Sequence, residues 1–316
     1  MIYTVRGPIH KNELGVTLGH EHIKWESDEF KANNMYFDKK YQEEDIELDL
    51  KYIMPIMFDI KAKGGKSIVE TSPPFGGQNV RLLKELSEQT DMHIIPCTGW
   101  NMTKQLYDVF PMHFEEQLAN RWIKDFKEGL DTINGIVIRP GHIKLLLDRG
   151  VLSGVDKAML IAAVIASKET GIPIHCHILE AKMVYEVVRV LDRENADYHK
   201  FLWAHADKEA NKETVKLAAD KGMWIGIDNV RKGTSPEKFE LLKYVMSISY
   251  EDKVLLSQDY DFYSEAKNSI ENHPCTAIFD EFIPYCFEHG IDRHKIMHIM
   301  TENPANFYDV DIPECI

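Results

Sequence analysis

Cysteine is scarce in this sequence: five residues in 316 (Cys97, Cys176, Cys275, Cys286 and Cys315), widely scattered, with no CxxC pair. An odd, dispersed set argues against a disulfide framework or a thiolate zinc site and suits a reducing compartment. Positive charge is also in deficit. At a net charge of −14 the chain would be repelled at long range by nucleic acid or an anionic membrane, so neither is expected as a partner. No basic segment followed by an apolar run opens MIYTVRGPIHKNELG, and no stretch approaches the roughly 18 apolar residues of a membrane span. No linker or low-complexity segment divides the chain. The expectation is a cytoplasmic protein acting on a small molecule, read as one domain over residues 1–316.

What is present alternates. Short apolar runs occur at Val16–Leu18, Ser67–Val69, His93–Cys97, His142–Leu147, Ile172–Cys176, Phe201–Ala204, Met223–Ile227 and Val254–Leu256. They are too short for helices and lack strict polar alternation, which suits parallel strands buried on both faces. Between them, Asn79–Glu88, Val155–Glu169, Glu213–Lys221 and Pro236–Met246 carry helical spacing, the last with Ser235 as its expected cap. Gly171 and Gly222 sit where helices should stop. Pro55 predicts a kink or break in the helical pattern over 46–62, and the polar, aromatic residues 24–45 predict an excursion after the first strand. Strand–helix units repeated eight times predict an α/β fold, a (β/α)₈ TIM barrel.

In such a barrel the chemistry lies at the C-terminal ends of strands. The first run ends in Gly19-His20-Glu21-His22, where the i, i+2 spacing of an extended chain points both imidazoles to one side. The fifth ends in His175-Cys176-His177, the sixth at His205 and the eighth at Asp259. An isolated HxH pair, a rim histidine or a capping aspartate is each commonplace. The ordered set points instead to a metal site, because imidazole and carboxylate are the donors that zinc, manganese or iron accept. His175, deeper in its strand than His177, is expected to be structural. Lys144, inside the apolar fourth run GHIKLLL, is costly there unless its charge is paired, carried to the barrel mouth, or removed as a carbamate.

With these residues in place the chain resembles the phosphotriesterase family of the amidohydrolase superfamily. The likeness runs through TVRGPI (4–9), TLGHEHI (17–23), SIVETS, HIIPCTGW, GHIK, GIPIHCH, AHAD (204–207), IGIDN, LLSQDY and MTENPANF (300–307), covering essentially the whole chain. The resemblance implies a binuclear metal-dependent hydrolase. His20, His22 and Asp259 would hold the buried ion, and His177 and His205 the more exposed one. Carboxylated Lys144 and a hydroxide would bridge them. Zn²⁺ is the expected metal, with Mn²⁺, Co²⁺ or Fe²⁺ as alternatives, and Asp259 is the candidate catalytic residue that accepts the hydroxide's proton. A homodimer is the family's common state.

Departures from the pattern bear on the substrate. Organophosphate-cleaving relatives relay a proton through a histidine and a second acid; this chain has Asn229 and Lys208 at those places. Homoserine-lactone members carry a tyrosine where TGWNM offers Trp100. Arg231 and Lys232, after the seventh strand, form a cationic pair at the mouth of an acidic protein, suited to a phosphate or carboxylate. Together with Trp100 they are the candidate substrate-binding residues. The expectation is a lactonase opening a polar lactone, such as a phosphorylated sugar lactone. The alternatives are phosphotriester or other ester or amide hydrolysis, and a non-catalytic metal-binding barrel.

Overall fold

A bulge in the first strand decides which way its histidines point. In the computed structural model, which describes residues 1–25, 46–100, 114–147, 150–209, 211–264, 269–270 and 275–310, this strand spans Thr17–Lys24 and is buried throughout. Leu18 packs outward with the helices, and simple alternation would send His20 and His22 after it. The register shift between Leu18 and Glu21 reverses the parity, so that Ile23 packs outward and both histidines face the barrel interior.

The other strands are Ser67–Glu70, His93–Ile95 continued as Cys97–Trp100, His142–Leu146, Ile174–His177, Phe201–Ala204, Trp224–Ile227, and Val254–Leu256 continued as Asp261–Ser264. Each is parallel to its neighbours. The third and eighth strands are both broken, and the breaks let the sheet curve closed. His93–Ile95 pairs with the second strand and Cys97–Trp100 with the fourth, the break falling at Pro96, which has no N–H to donate. Val254–Leu256 pairs with the seventh strand, whereas Asp261–Ser264 returns to the first, with Asp261 opposite His22.

Alternate residues divide between two apolar layers. Ile68, Ile94, Trp203 and Leu256 join the barrel–helix layer, while Val69, Ile95, Leu202 and Leu255 fill the barrel floor with Ile2, Leu14 and Phe307. The interior is therefore oily at its base and polar above, where His142, His175 and Lys144 begin.

The helices follow their caps. Asn79 accepts from Arg81 and Leu82 N–H at the start of Val80–Thr90. Ser153 and Asp156 form a capping box on Gly154–Thr170, and Gly171 and Gly222 close helices at φ 76° and 91°. Two expectations are corrected. Of the kink or break expected at Pro55, the break does not occur, and the helix Ile46–Ala62 runs through it. Pro55 lies on its exposed outer face, where water can satisfy the carbonyl it frees, while Ile53, Met57 and Ile60 anchor the inner face. Ser235 is not the cap of its helix: Ser235–Ser247 begins with it, Thr234 holds the cap position, and the Thr234 hydroxyl bonds to the Arg231 carbonyl at 2.8 Å instead. Three antiparallel pairings escaped the sequence reading: Ile2–Thr4 with Gly7–Ile9, Asp131–Ile133 with Ile136–Ile138 around Asn134-Gly135, and Asp261–Ser264 with Ser269–Ile270. Residues 26–45 of the expected excursion, and Cys315, lie outside the described residues.

Gly99 shows how tightly the third strand meets the fourth. Its φ is +127°, and a Cβ there would stand 2.0 Å from the Lys144 carbonyl oxygen. Gly99→Ala should therefore cost about 2–6 kcal/mol, from an unfavourable backbone region together with overpacking. Urea unfolding checks this, and an unchanged midpoint would contradict the close approach.

Candidate metal centre

Strand ends bring the proposed ligands together. His20 Nε2 and His22 Nε2 each lie 3.5 Å from Asp259 Oδ1, and these donor atoms are mutually within 4.8 Å. Lys144 Nζ is 2.9 Å from His20 Nε2 and is almost fully buried. His205 places Nδ1 3.8 Å from Asp259 Oδ2, its ring centroid 4.7 Å from that of His20 and 4.2 Å from that of His177. His20, His22 and Asp259 thus converge, Lys144 and His205 lie against them, and His177 packs against His205.

Two of them reach it through unusual backbone. By alternation His205 would follow Phe201 and Trp203 outward; its left-handed φ of 63° turns the ring inward. Asp259 has φ 54°. Among the described residues the remaining non-glycine positions at positive φ are Asp91, Asn134, Asn195 and Ser249, all ordinary turn formers. Strain of this kind collects at functional sites.

Each imidazole is oriented from behind. His22 Nδ1 is 2.8 Å from Ser72 Oγ, and the Ser72 N–H donates to the Glu70 carboxylate at 2.6 Å. Asp228, which the sequence reading passed over, meets both His205 Nδ1 at 2.7 Å and His20 Nδ1 at 3.2 Å, and its oxygens accept the His205 N–H. One carboxylate therefore fixes a histidine from each proposed half of the centre, leaving their Nε2 atoms directed elsewhere. The signal was present in IGIDN: an acid ending an apolar strand, at the level where the other strands present ligands. His20, His175 and Asp228 form a second cluster with metal-binding spacing. His175 has Nε2 2.9 Å from His20 Nδ1 and Nδ1 3.2 Å from Tyr308 Oη.

Electrostatics favours the ligating forms. Burial, helped by the Lys144 charge, brings His20 down to about 3 and holds His22 and His177 well below the usual histidine range. Neutral imidazole is the form that binds a cation. His205 differs: burial lowers it, but Asp228 and Asp259 outweigh burial and raise it. Burial pushes Asp259 up to about 6, against His205 and Lys144, and burial lowers the Lys144 amine. Lowering brings the amine closer to the neutral form that reacts with CO₂. This enclosed set of imidazole nitrogens and a carboxylate is the donor chemistry a divalent metal takes.

The substrate candidates are more scattered. Arg231 donates to the Asp259 carbonyl, and its guanidinium carbon lies 4.1 Å above the Tyr260 ring. Lys232 is exposed, and Trp100 is buried among core residues, paired with Leu145 beside Lys144. Asn229 Nδ2 lies 3.1 Å from His205 Nδ1 and donates to Asp228 at 3.2 Å, while Lys208 is exposed. A buried acid does stand close by, but Asp207 is bound to Lys238 at 3.1 Å and to the Asn229 N–H at 3.0 Å.

Comparison with known proteins follows the same lines. The model of the Phosphotriesterase family matches residues 1–308. The aryldialkylphosphatase of Saccharolobus solfataricus is 27% identical over 315 residues, 95% of this chain and 96% of that protein. The N-acetyltaurine hydrolase of Xenopus tropicalis is 23% identical, covering 97% of each. A crystal structure of a Deinococcus radiodurans phosphotriesterase-like lactonase variant superposes with TM-score 0.84 at 22% identity, over 98% of this chain and 100% of that one. That likeness carries the barrel fold.

Because Asp228 serves His20 and His205 together, Asp228→Ala should weaken binding of both ions by about 10- to 100-fold. Chelator competition on the metal-loaded protein measures this. Loss of one ion with the second held at full affinity would show that Asp228 serves a single histidine.

Proposed function

The chain belongs to the phosphotriesterase family, and we propose that this metal-dependent hydrolase opens a polar, anionic lactone, a phosphorylated sugar lactone being the type case. The observation that carries the metal chemistry is the convergence of His20 Nε2, His22 Nε2 and Asp259 Oδ1, with Lys144 Nζ 2.9 Å from His20 Nε2. His20, His22 and Asp259 would hold one ion, His177 and His205 the other, with carboxylated Lys144 between them. When bound, two divalent cations supply a hydroxide at ordinary pH and polarise the substrate's carbonyl oxygen.

The protein's own groups do the rest. Asp259 is the only carboxylate among the proposed ligands, and it would take up the hydroxide's proton and return it to the leaving alkoxide. The neutral histidines cannot compete for that proton while they hold metal. Arg231, fixed against Tyr260 and the Asp259 carbonyl, sets a permanent positive charge beside the reacting carboxylate. An anionic group on the substrate would be drawn there, and Lys232 adds to the field. Trp100 is proposed to shape the apolar side of the site.

A second reading keeps the site and changes the bond. Relatives are named for phosphoester and amide hydrolysis. The lactone reading is preferred because Asn229 and Lys208 replace the histidine and acid of the phosphotriesterase relay. Asn229 has no titratable proton, and its amide is engaged with Asp228.

Three measurements test this. Metal-loaded protein should turn over lactones, above all anionic ones, faster than phosphotriesters or N-acyl compounds; brisk phosphotriester cleavage without lactone turnover reverses the order. Asp259→Asn should remain folded by circular dichroism and lose at least about 100-fold in kcat. Undiminished turnover would refute its role. Metal analysis should give near two ions per chain when loaded with bicarbonate present. A ratio near one, insensitive to bicarbonate, counts against the bridged centre.

A further inference from the structure

The eighth strand breaks where Asp259 enters the site, and a broken strand leaves backbone donors without a ladder. The four N–H groups of the break are nevertheless all satisfied. Ser257 N–H donates to the Ile227 carbonyl at 3.1 Å and Asp259 N–H to the His20 carbonyl at 3.1 Å, which are main-chain partners. Gln258 N–H donates to Glu21 Oε1 at 3.0 Å and Tyr260 N–H to Glu21 Oε2 at 3.0 Å. The Ser257 hydroxyl adds a third bond to the carboxylate, at Oε1 and 2.7 Å. Glu21 is completely buried, between His20 and His22 in sequence and on the opposite side of the strand from both.

From this we infer that Glu21 is a positioning residue for Asp259: its carboxylate replaces the missing strand acceptors and holds the turn that aims Asp259 at the first-strand histidines. This rests on the reading of Asp259 as a metal ligand. The geometry gives the reason for a carboxylate. Burial pushes the Glu21 carboxyl up to about 8 against the pull of the Ser257, Tyr260 and Gln258 donors. Three converging donors require its ionised form, which accepts through both oxygens and donates nothing. The residues it grips, Gln258 and Tyr260, flank Asp259 on either side, so the left-handed φ of 54° is braced from both ends. Gln258 is pinned further by the Ile278 N–H and the Cys275 carbonyl. Because Glu21 shares its strand with His20 and His22, the spacing of all three proposed ligands is set through one side chain.

Glu21→Gln keeps the volume but turns an amide N–H₂ toward one of the donors, releasing one side of the turn. Three proteins decide the matter: Glu21→Gln, Asp259→Asn and the double variant, each titrated with Co²⁺ by chelator competition and by visible absorption. We expect Glu21→Gln to weaken Co²⁺ binding about 10- to 100-fold and to alter the absorption spectrum. In the Asp259→Asn background the same change should cost less than about threefold, since the group it acts through is gone. The role is overturned if Glu21→Gln lowers only the melting temperature, with Co²⁺ affinity and spectrum as in the parent, or if the two substitutions act independently. If Glu21→Gln does not fold, Ser257→Ala, which removes one of the three donors, should give a smaller loss of Co²⁺ affinity; no loss overturns the role. A parent protein that binds no Co²⁺ would instead sink the metal-centre reading itself.

Discussion

The seam between the first and eighth strands carries the centre. Ligands spaced far apart in sequence can meet only where the sheet closes, and the sheet closes here by breaking the eighth strand, so that one half faces the seventh and the other half the first. The break frees Asp259 from the strand, and the bulge between Leu18 and Glu21 turns His20 and His22 inward to meet it. The break costs local hydrogen bonding that the buried Glu21 carboxylate restores, and after the bulge the Ile23 N–H donates to the Glu70 carboxylate at 2.7 Å. Shift either by one residue and the donors part, because side chains in a strand alternate faces.

Above that seam the barrel interior is an electrostatic compromise. Histidines crowd against a lysine in a volume from which water is largely excluded, and burial keeps most of them neutral. Asp228 is the counterweight. Burial alone would raise its carboxyl, but His205 and His20 hold it well below the usual range, so it remains an anion facing two rings at once. Below, His175 and Tyr308 carry the polar network down to the apolar floor, and Asn303 ties the last helix to the eighth strand through the Val254 carbonyl at 2.8 Å. The terminal ENPANF segment therefore supports the site without reaching it.

The mouth shows how a family site is adapted. At the mouth the Asn229 amide donates to Asp228, and Asp207 is tied to Lys238. Arg231, which on sequence grounds was a substrate clamp alone, is also built into the turn that carries Asp259. Positive charge at the mouth and support for the turn thus come from one side chain.

How much could be read beforehand follows from which interactions are local. Buried parallel strands leave apolar runs, helices leave caps such as Asn79, Ser153 and Gly171, and the side chains His20, His22, Lys144, His177, His205 and Asp259 stand at strand ends because barrels place chemistry there. These features are encoded within a few residues, so the sequence by itself determined the barrel and its proposed ligands. Pro55 and Ser235 misled because solvent exposure and helix phase decide their effects, and neither is a property of the residue alone. Asp228, Glu21 and Glu70 went unread because a buried carboxylate in a strand looks like any other acid until its partners are known. Those partners lie on other strands: Glu21 reaches residues 257–260, and Asp228 reaches back to His20. Only the tertiary structure decided them, since only the closing of the barrel brings such distant donors within hydrogen-bonding range.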